Sequence, residues 1–288
     1  MRSRCVLVLA VTTFVCLPAV ASAVTDDFLD LEPHWATPRL GQPQASADAP
    51  VADDDALDGQ VLELMYPGGT ASEETGPGFA TEISTVNERT FGLYEARLRT
   101  PKVGRATGLV SSFFTYFNDG KDHDGDGLVD NHEIDIEFLA NEPDVIYMSV
   151  WTEYEADDGG ERFRKTSRKV NLRTGQVWQT PAGGEASYEL VPAEPLGWQA
   201  RRFKHNRRFH TYRFEWIAGS VTFGVDLEDG AGMRTLWMLS GAPNVTIPSL
   251  VSPLRMNLWH NGAHWLSGKP ARVPPRDVRY HIDRVTFP

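Results

Sequence analysis

The segment HEIDIEF, residues 132–138, carries three acidic side chains at alternate positions: Glu133, Asp135 and Glu137. In a β-strand successive side chains point to opposite faces, so these carboxylates share one face and the intervening apolar side chains share the other. Like charges in one row on a strand are destabilising. Stability alone therefore does not account for this row, and its pattern indicates chemistry.

One chemistry that needs two nearby carboxyl groups is cleavage of a glycosidic bond. Retaining enzymes need them roughly 5–5.5 Å apart, one as nucleophile and one as acid/base. The Cα atoms of residues i and i+4 on a strand are roughly 13 Å apart, and two glutamate side chains leaning together close most of that gap. The inverting separation of roughly 6.5–9.5 Å stays open on this argument. A middle carboxylate orients one neighbour and helps to keep the acid/base residue protonated.

Two other interpretations of the row stay open at this point. An acidic face on an edge strand discourages aggregation between sheets. A row of carboxylates is also a potential cation site, and short acidic motifs occur often by chance.

A second acidic motif runs directly into the first. Residues 122–133 fit the calcium loop of an EF-hand, whose ligands would be Asp122, Asp124, Asp126, the carbonyl of Leu128, Asp130 and, at the twelfth position, Glu133. A carboxylate bound to Ca²⁺ through both oxygens cannot also attack a carbon atom. Three interpretations follow: a Ca²⁺ loop that leaves Glu133 free, a solvated turn without metal, or a non-catalytic Ca²⁺-dependent binder with Glu133 as ligand.

The elements that position these residues are predicted to be β-strands. Short segments with alternating or dense apolar residues, such as GQVLELMY, FGLYEARLRT and FHTYRFEW, are bounded by Gly, Pro, Asn and Asp. We expect an all-β, two-sheet antiparallel sandwich of about ten or more strands. The Pro/Ala/Asp-rich stretch of residues 42–59 is predicted to be a surface loop. Residues 153–206 are predicted to form loops over one face, with an amphipathic piece at residues 161–170.

Composition and the first residues indicate an exported globular protein. The chain has 288 residues, 41% of them hydrophobic, and a formal net charge of −11, which excludes the basic footprint of a nucleic-acid binder. Residues 1–23 have a basic start, an apolar run and an A-x-A site, as in a secretory signal peptide. Cleavage after Ala23 would remove both cysteines, Cys5 and Cys16. We expect residues 24–288 to form a single monomeric domain, secreted and without a membrane anchor.

The run EIDIEFL, residues 133–139, resembles the signature of glycoside hydrolase family 16, specifically its lichenase branch of endo-β-1,3-1,4-glucanases. The resemblance extends in collinear order over nearly all of residues 26–287, including the run FGLYEARLRT, the segment MNLWHNG and the closing YHIDRVTF. It implies a β-jelly-roll of the concanavalin A type with a sugar-binding cleft on its concave sheet.

The resemblance also implies roles for individual residues. Glu133 would be the nucleophile, Glu137 the acid/base and Asp135 the assisting carboxylate. The residues expected to contact sugar are Glu82, Asn257, Trp259, Asn261 and Trp265, although core packing is an alternative for the two tryptophans. A structural Ca²⁺ of the family would lie at Gly59 and Asp283. No cofactor is required for the chemistry.

The expected activity is hydrolysis of β-glucan, most simply β-1,3-1,4-glucan, with retention at the anomeric carbon. A β-1,3-glucanase, a transglycosylase or a non-catalytic carbohydrate-binding protein on the same fold are the alternatives. Four departures from the lichenase pattern bear on the linkage preference rather than on the reaction, and they are Ser84, Asn131, Tyr147 and Ser149.

Overall fold

The computed structural model of the chain describes residues 23–29, 34–36, 47–69, 80–103, 107–157, 160–181, 187–261 and 272–288. The predicted signal peptide therefore lies outside the described residues except for Ala23, and so does Trp265. Among the described residues no helix has the length and apolar character needed to cross a membrane.

Within the described residues seventeen strands, numbered in chain order, form two antiparallel sheets. The eight-stranded sheet has the spatial order β15 (Arg234–Ser240), β14 (Ser220–Asp226), β13 (His210–Ile217), β6 (Gly92–Arg99), β17 (Val278–Phe287), β4 (Gln60–Tyr66), β3 (Ala47–Ala52), and β1 (Val24–Asp26) also pairs with β17. The nine-stranded sheet has the order β12 (Val191–Ala193), β11 (Gln176–Gln179), β10 (Gly160–Asn171), β9 (Val145–Asp157), β8 (Asp130–Leu139), β7 (Leu109–Phe117), β16 (Leu254–His260), β5 (Ala80–Thr85), β2 (Trp35–Ala36). The prediction of an all-β, two-sheet antiparallel sandwich is confirmed.

The core lies between the two sheets, and alternation along each strand creates it. On β8 the inward side chains are Ile134, Ile136 and Phe138, each at most 1% exposed. They meet aromatic side chains of the other sheet: the ring of Phe138 lies 4.7 Å from that of Tyr212 on β13. Burying one face of β8 against this core leaves its other face turned outward, because successive side chains alternate.

The prediction of loops over residues 153–206 is wrong for much of that segment. β9 continues to Asp157, β10 returns alongside it, and β11 and β12 extend the same sheet. Cross-strand ion pairs hold the outer part of the hairpin: Arg162 pairs with Glu155, and Arg164 lies 3.2 Å from Glu153. The apolar alternation that normally identifies a strand is weak there because charged side chains make the cross-strand pairs.

The prediction of a surface loop over residues 42–59 is wrong for β3, which pairs with β4. β3 lies at the edge of its sheet. Its register shifts between Asp48 and Val51, on either side of Pro50. An edge strand with such an irregularity tolerates a proline, whose missing N–H would interrupt a central strand.

Truncating Phe138 is expected to destabilise the strand that carries the carboxylates. Phe138→Ala should lower the free energy of unfolding by about 3–5 kcal/mol, because it removes a fully buried aromatic ring that contacts Tyr212 and His205. Urea unfolding monitored by tryptophan fluorescence measures the change. Met238→Ala is the control, since this side chain is 63% exposed and its loss should change stability by no more than about 0.5 kcal/mol. Equal effects of the two substitutions would contradict this account of the core.

Candidate active site

The three carboxylates of β8 lie at the centre of the nine-stranded sheet, on its outer surface, which we call the carboxylate face. Strand pairing defines their neighbours. Glu133 is opposite Tyr116 on β7 and Trp151 on β9. Asp135 is opposite Phe114 and Ser149, and Glu137 is opposite Ser112 and Tyr147. The sequence prediction that Glu133, Asp135 and Glu137 share one face agrees with this register.

The carboxylates are withdrawn from solvent although they lie outside the core. Asp135 is 5% exposed, and Glu133 and Glu137 are half-buried. Burial raises the pKa of all three carboxyl groups, because it penalises their charged forms. Asp135 lies between the other two, and their negative charges raise its pKa further, well above its ordinary value. The middle carboxyl group therefore holds its proton more strongly than an ordinary aspartate does.

Hydrogen bonds favour the ionised form of Glu133. Protonated Asp135 donates to it, and Asn131 Nδ2 donates to its Oε2 at 3.2 Å. Asn118 in turn donates to Asn131 Oδ1 at 3.1 Å, which fixes the orientation of that amide. These donors oppose the effect of burial on the pKa of Glu133. Glu133 thus has the fixed orientation and the donors that suit an anionic nucleophile.

Glu137 has the opposite character. The Ser112 hydroxyl, 3.5 Å from its Oε1, is a distant and weak donor. Burial, with a contribution from the charge of Glu133, raises the pKa of Glu137 to about 7. A carboxyl group that is protonated near neutrality and can lose its proton there suits a general acid and base. Two glutamates four residues apart therefore have different hydrogen-bond partners, and the partners of Glu133 favour its ionised form more strongly.

Lys165 on β10 is a residue beside the acidic row that sequence reasoning missed. Its positive charge lowers the pKa of Glu133, Asp135 and Glu137 and so limits the increase caused by burial. Its ammonium lies 4.1 Å from the ring centroid of Trp151, on the same face. Only the assignment of β10 as a strand could have identified Lys165, because its place on the carboxylate face follows from its pairing with Trp151.

Glu82 and Asn257, both predicted to contact sugar, lie together on β5 and β16. Asn257 Nδ2 donates to Glu82 Oε2 at 3.2 Å, and Arg255 Nη1 donates to Glu82 Oε1 at 2.8 Å. Burial raises the pKa of Glu82, which is 4% exposed, and both donors oppose that effect. Arg255 was not predicted; it also lies 5.2 Å from the ring centroid of Tyr116. This trio forms a polar edge of the carboxylate face.

Trp259 also lies on this face, opposite Val110. It is half-buried and packs against a small apolar cluster separate from the main core, formed by Val110, Leu139, Val145 and Tyr147. Asn261 follows the end of β16, where its backbone N–H donates to the carbonyl of Gly108 at 2.9 Å. Sugar contact by Trp259 and Asn261 stays a prediction, and the prediction for Trp265 concerns a residue outside the described part of the chain.

A second aromatic group lies on the other side of the carboxylates, and sequence reasoning did not single it out. Trp151 packs against Phe163 and Tyr188, with ring centroids 5.7 and 6.3 Å away. The ammonium of Lys169 on β10 lies 4.7 Å from the ring centroid of Trp178 on β11. Aromatic rings and cations thus flank one side of the acidic row, and Trp259 with Glu82 and Asn257 flanks the other.

The predicted loop ligands are also brought together. Asp122, Asp124 and Asp126 offer oxygen atoms that lie within 4.8 Å of one another. Asp130 belongs to a second such group, with Asp124 and Glu153. Leu128 donates its N–H to Asp126 Oδ1 at 3.0 Å. Glu133 belongs to neither group.

At the other predicted calcium position, protein donors occupy the oxygen atoms. Asp283 Oδ2 accepts from Arg97 at 2.8 Å and its Oδ1 accepts from the N–H of Leu57 at 3.0 Å. The carbonyl of Gly59 accepts from the N–H of Asp53 at 2.9 Å. Arg97 thus supplies positive charge beside Asp283, and a cation at Gly59 and Asp283 stays a prediction.

The difference between Glu133 and Glu137 can be tested by titration. Carbon NMR of glutamate side chains should show one carboxyl group titrating near pH 7, and Glu137→Gln should remove that signal. Lys165→Met should raise this pKa, because loss of a nearby positive charge favours the protonated form. Lys169→Met is the matched control on the same strand and should leave the titration in place. An unchanged midpoint in Lys165→Met would contradict the electrostatic role of this lysine.

Comparison with known proteins gives a family match for the part of the chain that contains the acidic row. Residues 51–178 match the model of "Glycosyl hydrolases family 16". The chain is 27% identical over 179 residues to a beta-glucanase of Paenibacillus macerans, covering 62% of this chain and 52% of that protein. It is 27% identical over 209 residues to a beta-glucanase of Bacillus subtilis, covering 71% and 62%. The chain thus spans between about half and two thirds of these curated relatives.

Solved structures with the same fold cover nearly the whole chain. Bacillus licheniformis beta-glucanase superposes with a TM-score of 0.54 at 17% identity, covering 93% of this chain and 98% of that one. A lichenase derived from a mouse hindgut metagenome gives a TM-score of 0.55 at 18% identity, covering 92% and 98%. At these identities the likeness concerns the fold, and the matched residues 51–178 include the whole of β8. Residues 51–178 of the chain are thus similar to glycosyl hydrolases family 16, and the chain shares the fold of beta-glucanases of known structure.

Proposed function

We propose that the chain is a retaining endo-glycosidase that hydrolyses β-glucan through a covalent glycosyl-enzyme. The observation that carries the proposal is the carboxylate row of β8, in which hydrogen bonds from Asp135 and Asn131 favour ionised Glu133 and burial raises the pKa of Glu137 to about 7. One carboxylate and one carboxylic acid on the same face are the two groups that retaining hydrolysis requires.

The first step divides between the two glutamates. Glu133 attacks the anomeric carbon and forms an ester bond to it as the bond to the leaving sugar oxygen breaks. Glu137 gives its proton to that oxygen, so the leaving sugar departs as a neutral alcohol. Loss of the negative charge on Glu133 removes one of the charges that had raised the pKa of Glu137, which makes Glu137 a better proton donor during this step and leaves it ionised afterwards.

The second step reverses these roles. Ionised Glu137 takes a proton from water as the water oxygen attacks the anomeric carbon, and the ester bond to Glu133 breaks. Two displacements at the same carbon give net retention of configuration. Asp135 touches Glu133 throughout, and its retained proton is available to stabilise the carboxylate that is released.

The proposed substrate is β-1,3-1,4-glucan. Support comes from the beta-glucanase names of the relatives and from the surfaces on both sides of the acidic row. Trp259 offers an aromatic ring for the C–H face of a pyranose, while Glu82 and Asn257 offer hydroxyl partners. The departures Ser84, Asn131, Tyr147 and Ser149 all lie on the carboxylate face, as their cross-strand partners show. They are the positions at which the linkage preference would differ from that of lichenases.

Export completes the proposal. We infer from the leader-like residues 1–23 that the chain is secreted and meets its polysaccharide outside the cytoplasm. N-terminal sequencing of protein recovered from the medium of an expressing culture tests this inference, and a chain that begins at Val24 is the expected result.

The substrate is identified by comparing lichenan, laminarin and xyloglucan side by side. Release of new reducing ends from lichenan, with the β-anomer formed first in proton NMR, is the expected result. Initial formation of the α-anomer would contradict retention. Preference for laminarin would indicate a β-1,3-glucanase, and lengthened oligosaccharides would indicate a transglycosylase. Binding without any product would indicate a carbohydrate-binding protein and overturn the proposal.

Two substitutions separate the roles of the glutamates. Glu137→Gln should lower kcat/KM on lichenan by roughly 10²–10⁴-fold, the usual contribution of a general acid. It should slow formation of the glycosyl-enzyme from a dinitrophenyl β-glycoside far less, because the dinitrophenolate leaving group needs no proton. Glu133→Gln should abolish turnover of both substrates, because it removes the nucleophile.

The control for this pair is circular dichroism, which should show that both variants keep the wild-type fold. Substantial turnover by Glu133→Gln, or an equal loss on both substrates in Glu137→Gln, would contradict the assignment of roles.

A further inference from the structure

Glu153 on β9 is a buried carboxylate that the proposed hydrolysis does not use. It is 0% exposed. Its Oε1 accepts from Arg164 at 3.2 Å, but its Oε2 is buried and has no hydrogen-bond partner among the described residues. An ionised oxygen withdrawn from water is costly unless a positive group faces it. The environment of this oxygen therefore indicates a missing positive partner.

The carboxylate of Glu153 lies among other carboxylates. Asp124, Asp130 and Glu153 each offer one oxygen atom, and these atoms lie within 4.8 Å of one another. Asp124 also belongs to the exposed group with Asp122 and Asp126. Asp130 is 1% exposed, so two of the carboxylates that converge with Asp124 are buried. Among the described residues, Arg164 is the arginine that forms ion pairs with this cluster. It lies 2.9 Å from Asp126 and 3.2 Å from Glu153.

Residues 122–130, which we call the aspartate loop, are already folded around their own carboxylates. Asp122 accepts from the N–H groups of Gly125 at 2.6 Å and Gly127 at 2.9 Å. Both glycines have left-handed backbone angles, with φ of 80° and 91°. Asp130 accepts from the N–H of His123, which closes the loop against the start of β8. The loop therefore needs little rearrangement to present its oxygens.

Glu133, which the EF-hand template requires as the twelfth ligand, belongs to neither of the convergent acidic groups found among the described residues. Asp130, Glu153 and Arg164 are aligned across three strands. Glu133, Trp151 and Lys165 form the next aligned row, and both strand pairings contain a register shift between the two rows. These irregularities separate the aspartate loop from the carboxylate face, where Glu133 accepts from Asn131.

We propose that the aspartate loop and Glu153 form a calcium site, in which Glu153 of the neighbouring strand takes the place of the twelfth loop residue. Asp122, Asp124, Asp126, Asp130 and the carbonyl of Leu128 supply the remaining oxygens. The ligand set is made of oxygen atoms and is rich in carboxylates, as Ca²⁺ prefers, and a flexible loop suits its variable coordination better than the strict octahedron of Mg²⁺.

The neighbouring histidine does not supply a nitrogen ligand. His132 Nδ1 accepts from the N–H groups of Ser249 at 3.1 Å and Leu250 at 2.9 Å. Its hydrogen is therefore on Nε2, which lies 3.2 Å from Asp130 Oδ1. A ring nitrogen that carries a hydrogen has no lone pair to offer a metal, which disfavours Zn²⁺ and other ions that prefer nitrogen.

The site would join the start of β8 to β9 three residues before Glu133. Its existence does not depend on hydrolytic activity, so its test uses binding and stability. Chelator-treated wild-type chain should show saturable heat on titration with Ca²⁺ in a calorimeter. Its melting temperature should rise with Ca²⁺, because a ligand that binds only the folded state stabilises that state.

Four substitutions make the test specific. Glu153→Gln should weaken Ca²⁺ binding by more than roughly tenfold, since it removes a charged ligand at nearly constant volume. Asp124→Asn, on the exposed loop, should do the same without risk to the core. Asp119→Asn is the matched control, because Asp119 pairs with Lys121 and His123 outside the cluster. Glu133→Gln should keep wild-type Ca²⁺ binding, although the EF-hand template predicts its loss.

Several results would overturn the site. They are the absence of Ca²⁺ binding by the wild-type chain, wild-type affinity in both Glu153→Gln and Asp124→Asn, or loss of binding in Glu133→Gln. Loss of the binding heat in Asp283→Asn, with Glu153→Gln unaffected, would move the ion to the other predicted calcium position and would also overturn the proposal.

Discussion

The site depends on mutual repulsion among three carboxyl groups held on one face of one strand. Water cannot screen them fully, because Asp135 is almost completely buried and its two neighbours are half-buried. Ionising all three would concentrate negative charge in a medium of low dielectric constant, so protons are retained. Which groups retain them is decided by their partners. The hydrogen bonds to Glu133 and the poor donor at Glu137 give the two glutamates of one repeating pattern different surroundings, in which the ionised form of Glu133 is favoured more strongly.

The rest of the fold supports this arrangement. The apolar face of β8 packs on the opposite sheet and fixes the strand, so the acidic side chains cannot move apart without disturbing the core. Neighbouring strands deliver the remaining groups by register: Ser112 from β7, Lys165 from β10, and Arg255 with Asn257 from β16. The Lys165 ammonium offsets part of the repulsion among the three carboxylates but does not cancel it. Complete neutralisation would lower the pKa of Glu137 and remove its value as an acid.

A second group of carboxylates lies at the beginning of the same strand, and the backbone keeps it apart from the first. The register shifts on both sides of β9 fall between the row that contains Glu153 and the row that contains Glu133. A β-bulge redirects side chains locally while pairing continues on either side. This irregularity allows one short stretch of sequence to contribute to two acidic clusters with separate surroundings.

The sequence was sufficient for features set by local alternation and insufficient for those set by register. The alternation of β8, the spacing of its acidic residues and the two-sheet fold class could be predicted directly from the sequence. Lys165, Arg255 and Glu153 reach their clusters only through cross-strand pairing, which local patterns do not specify. From residue 153 onward the hairpin of β9 and β10 carries ion pairs in place of alternating apolar residues, so local patterns predict loops there. The EF-hand template assigned the twelfth position by chain order, whereas the structure brings an acid from another strand.

The most direct test of the central claim is to locate the covalent intermediate. Glu137→Gln treated with a dinitrophenyl β-glycoside should accumulate a glycosyl-enzyme, because the activated leaving group departs without an acid while the second step lacks its base. Intact-protein mass spectrometry should show the addition of one glycosyl unit, and peptide mapping should locate it on Glu133. An adduct on Glu137, on Asp135 or on any residue outside β8 would contradict the account, as would release of product with inverted configuration.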